Sequence, residues 1–193
     1  IPDYDTPLQL ACGDNNAFTT NDYTNYYLTV PAQNIETGFW LESDRMTELA
    51  FTPQSLEVQR KVVMEEFKQH YITPPYGDIQ HLMSALAYKV HPYRWPTIGL
   101  KLEHIANVRM EEVKDFFFRF YAPNNAIVSV VGNITKEETW RLAEKWFGKI
   151  PARDISQPLI PQEPIQTEQR RLTVERDVPA DVLYMPFPIA RLT

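Results

Sequence analysis

The sequence carries a single cysteine, Cys12, and only six glycines, which never cluster. One cysteine excludes an internal disulfide framework and any CxxC metal or redox motif, and Cys12 is read as a small buried thiol. Scattered glycines exclude a phosphate-cradling loop, and no GxSxG or Cys–His arrangement is present to support nucleophilic catalysis. Basic tracts are also missing, and a formal net charge of −6 argues against a nucleic-acid partner held through phosphates. No apolar run approaches the ~20 residues of a membrane helix, and the chain does not open on a basic segment followed by an apolar one. A soluble chain without a membrane partner is therefore expected. The four histidines, His70, His81, His91 and His104, form no HxxH, HxxxH or HExxH pair, so the sequence offers no three-ligand zinc site at recognisable spacing.

What is present is apolar content sufficient for a core, 44 % of 193 residues, within the range of one domain. Residues 1–193 are expected to form a single domain, with a proline-rich connection over 151–168. The chain opens at Ile1 in PDYDTPLQL without a methionine, as though inside a longer polypeptide.

Asn15–Thr19 and Tyr23–Val30 are expected to be strands flanking a turn at Thr20-Asn21-Asp22, the first short and polar enough for an edge. Asn34 can cap a helix from Ile35 towards Ala50, and Pro53 opens a second one ending at Pro74-Pro75. Asp78 can cap a shorter helix before the loop HPYRWPTIG. Val113, Phe116, Phe117 and Phe120 form a helical core stripe, and Ala126–Val131 has the β-branched content of a strand buried on both faces. Thr135 and Glu138 read as a capping box for a helix ending at Gly148. Arg171–Val178 and Ala180–Ile189 are read as two further strands. Helices and strands in this irregular order predict an α+β fold, a mostly antiparallel sheet covered by helices.

Within Gln54–Ile72, at about 100° per residue, Gln59, Val62, Val63, Glu66 and His70 share roughly 100° of arc. Glu66 is thus expected to point inward, where a carboxylate needs a basic partner, a backbone donor or a cation. His70, one turn on, could share a ligand with Glu66 or hydrogen-bond to it; two ligands do not hold a catalytic zinc.

The ordered strings GDNNAFTTNDYTNYYLTVP, FWLESDRM, VQRKVVMEEF, HPYRWPTIG and FYAPNNAIVSVVGNIT, spread over nearly the whole chain, resemble the insulinase/pitrilysin family of zinc metallopeptidases, in particular its short bacterial members. The resemblance implies a zinc held by two histidines of an inverted HxxEH helix and by a downstream glutamate. That glutamate corresponds to Glu66, with Glu65 the weaker candidate. Counting back places the HxxEH helix upstream of Ile1, so no catalytic residue is assigned on this chain and zinc is expected only in the full-length protein. The family's Asn-Ala-Phe-Thr edge, which takes substrate as an added strand, matches Asn16, Ala17, Phe18 and Thr19. Many members carry a second glutamate two turns before the zinc-binding one; here it is Gln59, which can still hydrogen-bond a metal ligand. Glu42 and His91 sit in family-like motifs and are read as structural.

The resulting expectation is the larger C-terminal portion of an N-terminal peptidase domain plus the start of the following repeat, from a metalloendopeptidase of bacterial cytoplasm or periplasm. Its partners would be a peptide and the second half of the enzyme or a partner subunit, and the 193 residues alone would be inactive. The alternatives are a non-catalytic relative that captures peptides or serves as a scaffold subunit and, more remotely, an unrelated α+β binding module.

Overall fold

The computed structural model describes residues 3–156 and 158–187. The chain divides into two compact units, residues 1–56 with 109–157 and residues 57–108 with 158–193.

In the first unit, helix α1 (Asp5–Leu10) leads into strands β1 (Asp14–Thr19) and β2 (Thr24–Thr29), which pair antiparallel with Asn16 opposite Tyr27 and Ala17 opposite Tyr26. Helix α2 (Ile35–Thr47) packs on α7 (Lys136–Phe147), with Leu41 and Leu142 buried and the Phe39 and Phe147 rings 6.4 Å apart. Glu36 ties the same helices together by accepting from Lys145 Nζ and, at 3.1 Å, from Trp146 Nε1. Helix α6 (Met110–Phe120) buries Phe117 against Phe51, ring centroids 5.4 Å apart. Arg153 fastens its C-terminal end, donating to the Phe117, Tyr121 and Met46 carbonyls at 3.3, 2.7 and 3.1 Å. Of the expected aromatic stripe only Phe117 is buried; Phe116 lies exposed against Phe120, because the stripe is wider than the surface available to cover it.

Helix α3 (Pro53–Phe67) runs on as a π-helical turn, Lys68–Ile72, closed by Thr73 N–H to the Lys68 carbonyl at 2.8 Å. In the second unit Phe67 is buried with Tyr71 and His81, the last two rings 4.5 Å apart, and α4 (Ile79–Ala87) carries that histidine. The loop beyond holds a 3-10 turn, Pro92–Arg94, and Gly99 at φ +103, a left-handed conformation that glycine adopts without strain. Helix α5 (Leu102–Ala106), like α1, lies where no helix is expected from the sequence. Residues 158–187 run without helix or strand.

The arrangement is α+β, but three expected strands do not form among the described residues. Ala126–Val131 forms no strand and is not buried: Ile127 is 94 % and Val131 97 % exposed, since the described residues hold no partner strand on either side. Arg171–Val178 and residues 180–187 are likewise unpaired; the end of the expected Ala180–Ile189 strand lies outside the described residues. Cys12 is exposed rather than buried, at φ 55 in the turn between α1 and β1.

Candidate functional site

The candidate residues fall in both units. In the first, the hairpin geometry dictates what β1 can offer. Thr20 N–H donates to the Tyr23 carbonyl at 2.8 Å and Tyr23 N–H to Thr20 Oγ1 at 3.2 Å, so the backbone groups of this pair face each other, and antiparallel alternation makes Phe18–Asn25 and Asn16–Tyr27 the bonded pairs of the ladder. The backbone groups of Asn15, Ala17 and Thr19 therefore turn away from β2, towards an edge that no strand covers among the described residues. Ala17 N–H is met there by its neighbour's side chain, Asn16 Oδ1, at 2.8 Å. Side chains alternate accordingly. Asn16 and Phe18 lie on one face, where Phe18 meets Tyr23 edge-on at 5.9 Å; Ala17 and Thr19 lie on the other, where Thr19 Oγ1 is 3.1 Å from Thr24 Oγ1. Asn16–Thr19 is thus one continuous, exposed edge able to hydrogen-bond an extended peptide through its main chain.

Behind the edge stands a polar and aromatic cluster. Arg45 lies over the Tyr4 ring at 4.6 Å and the Tyr26 ring at 4.2 Å, and its Nε donates to Glu42 Oε2 at 3.0 Å. Tyr4 also donates to Glu42, and the Tyr26 and Tyr121 hydroxyls bond to each other. Burial, with the Glu42 carboxylate beside it, pushes the Tyr4 phenol up to about 12. Burial is also the main cause of the rise at Tyr121. Glu42 thus holds Tyr4 and Arg45 together, and His91 Nδ1 accepts Tyr93 N–H at 3.2 Å.

In the second unit the structure corrects the orientation of Glu66. Its helix buries Phe67 instead, and Glu66 and Gln59 are exposed on a stripe beside Val58 and Val62, 56 % and 53 % exposed. The 100° arc is real but faces outward, because the residues that pack on α3 approach from the Phe67 side. Among the described residues Glu66 has no side-chain hydrogen bond or ion pair, whereas Glu65 pairs with Lys68 at 2.5 Å. His70, in the π-helical turn, meets Tyr71 at 6.4 Å and makes no bond to Glu66. No group of three His, Cys, Asp or Glu able to hold a metal occurs among the described residues. Glu66 is therefore an exposed carboxylate, and the described residues around it supply no set of three metal ligands.

Comparison with known proteins gives the class. The family model for insulinase, peptidase family M16, matches residues 3–99, and that for the peptidase M16 inactive domain matches residues 107–192. The chain belongs to the insulinase peptidase family. It is 28 % identical over 179 residues to the zinc protease PqqE of Helicobacter pylori, covering 91 % of this chain and 40 % of that protein. It is 30 % identical over 142 residues to the uncharacterized zinc protease YmxG of Bacillus subtilis, covering 73 % of this chain and 34 % of that one. Among solved structures, a protease from Helicobacter pylori superposes with a TM-score of 0.74 at 28 % identity, over 83 % of this chain and 39 % of that one. The peptidase M16 inactive domain from Pseudomonas fluorescens shares the fold, with a TM-score of 0.71 at 16 % identity over 83 % of this chain and 39 % of that one. The chain thus spans about 40 % of the length of PqqE and less of YmxG.

Proposed function

We propose that this chain is part of a zinc-dependent metalloendopeptidase, in which Glu66 is one zinc ligand and the β1 edge, Asn16–Thr19, binds the substrate peptide as an added strand. The observation that carries the reading is Glu66 itself: an exposed carboxylate that has no side-chain partner among the described residues, in a family whose relatives are named zinc proteases. Gln59, two turns earlier on the same stripe, would hydrogen-bond a ligand rather than bind metal. Zinc, when bound, polarises a peptide carbonyl and lowers the pKa of a bound water. This chain's own residues contribute the carboxylate and the hydrogen-bonding edge that aligns a peptide main chain. The remaining ligands and the general base would come from a preceding HxxEH helix of the longer polypeptide, and the closing half from the same polypeptide or a partner subunit.

Glu66→Gln in the longer polypeptide should abolish zinc retention and peptide hydrolysis together; retained zinc with full activity would overturn the assignment. The 193 residues alone should hydrolyse no peptide and bind zinc at most weakly in a calorimetric titration. Tight stoichiometric zinc would instead bring in His70 as a second ligand. A second reading is a non-catalytic subunit that captures peptides, which would keep the β1 edge and dispense with the metal. The residues encoded before Ile1 discriminate the two, since an intact HxxEH supports the enzyme and a degenerate one the scaffold.

A further inference from the structure

We propose that Arg45 is the positioning residue for the free edge of β1, acting through Tyr26; the inference rests on the edge being where the peptide binds. Strand β1 is held by β2, so the placement of its outward amides is inherited from β2. Two side chains fix β2 to the helical layer. Leu28 does so by shape: a Cβ at Gly38 of α2 would lie 2.9 Å from Leu28 Cδ1, so the strand sits on bare helix backbone there. Tyr26 does so by its ring and hydroxyl. The ring receives the Arg45 guanidinium at 4.2 Å, and the hydroxyl bonds to that of Tyr121.

The register makes Tyr26 decisive. It stands opposite Ala17 in a pair without ladder hydrogen bonds, where side chains of facing residues approach most closely. Ala17 is the centre of the outward-facing edge, so a displacement of the Tyr26 ring passes to the carbonyl that a peptide would pair with and to the amide that it would take over from Asn16 Oδ1. Arg45 is in turn over-determined. Its guanidinium is clamped between the Tyr4 and Tyr26 rings, and its Nε and Nη2 donate to the two oxygens of Glu42 at 3.0 and 3.3 Å. A planar cation that stacks on two rings and forks to one carboxylate is a role lysine cannot fill. The chain of dependence runs Glu42 and Tyr4, Arg45, Tyr26, Ala17; the first links are contacts between named groups and the last is the strand register. A preorganised edge spares the peptide the ordering of its partner strand, which appears in KM.

The test compares Arg45→Lys, Arg45→Met, Tyr26→Phe and Tyr26→Leu in the longer polypeptide, with KM and kcat measured on an extended peptide and on the same peptide N-methylated at alternate amides. Both Arg45 variants and Tyr26→Leu should raise KM about threefold to thirtyfold, the range of a partly desolvated cation–π contact, with kcat little changed. Tyr26→Phe, which keeps the stack and loses the hydroxyl bond to Tyr121, should raise KM by less than Tyr26→Leu. A substitution that merely lowered the folded fraction would reduce kcat and leave KM alone. Unchanged KM in both Arg45 variants, while N-methylation still raises the wild-type KM, overturns the role of Arg45 and spares the edge. A wild-type KM indifferent to N-methylation overturns the edge reading, and the proposal with it. On the 193-residue chain itself, amide exchange of Asn16 and Phe18 should quicken in Arg45→Met while α7 amides are unaffected. Identical exchange in the two proteins would also overturn the proposal.

Discussion

Glu163 accepts three consecutive backbone N–H groups, from Lys89, Val90 and His91, at 2.7, 2.9 and 2.9 Å. The His91 amide is the largest cause of its depressed pKa, with Val90, Lys89 and the nearby Arg170 adding to it, and the carboxyl is pulled down to about 2. The sign of the linkage follows: a carboxyl ionised more readily in the folded state stabilises it above the unfolded value of ~4.3, and that contribution is lost as pH falls towards 2. Arg170, donating to the Leu86 and Ala87 carbonyls, Arg176, paired with Asp78 at 2.7 Å, and Tyr76, donating to the Ala180 carbonyl, fasten the same segment. Glu163→Gln should therefore accelerate limited proteolysis within 158–187 at neutral pH and flatten the rise in cleavage expected of wild type as pH falls from ~4.3 towards ~2. Equal cleavage of the two proteins across that range would mean the amides do not hold the segment. Nothing in the sequence marks this residue: Glu163 stands in a proline-spaced stretch, and its partners are main-chain groups more than seventy positions away.

At the scale of elements, helix starts are legible, but the reasons given for two of them are not the ones the molecule uses. Asn34 and Asp78 do precede helices, yet neither side chain caps its helix. Asn34 Nδ2 instead donates to the Ala11 carbonyl at 3.0 Å, and Asp78 pairs with Arg176. Thr135 acts as expected, accepting Glu138 N–H at 3.2 Å, while the Glu138 side chain turns to Arg141 rather than closing the box. Composition identifies helix ends because it reports local backbone needs, whereas side-chain partners are set by distant chain. The contact of α2 with β2 gives the element-scale prediction. Valine at Gly38 would drive a branched side chain into Leu28, and overpacking of this kind costs about 1–3 kcal/mol, more than the roughly 0.3 kcal/mol by which valine betters glycine within a helix. The urea midpoint of Gly38→Val should fall; an unchanged midpoint would mean β2 shifts freely on α2.

For the molecule as a whole, the family and the α+β class are legible in ordered motifs, and the β1–β2 hairpin appears within a residue of its expected limits. What sequence periodicity misjudged is the direction of burial. The arc containing Glu66 and Val62 is apolar enough to be covered, and Ala126–Val131 has the composition of an interior strand, yet both are open. A pattern records what a segment is suited to pack against, and here the described residues do not include the partner. The unpaired AIVSVV run has a kinetic consequence. Its main-chain groups make no backbone hydrogen bond among the described residues, and it carries no charge or proline to discourage pairing with another molecule. Encounter between two such runs is second order, so the half-life of dissolved monomer should shorten in inverse proportion to concentration, as light scattering would follow. Val128→Lys, which places a like charge on every colliding strand, should lengthen it; a concentration-independent half-life would mean that loss is governed by a unimolecular step instead.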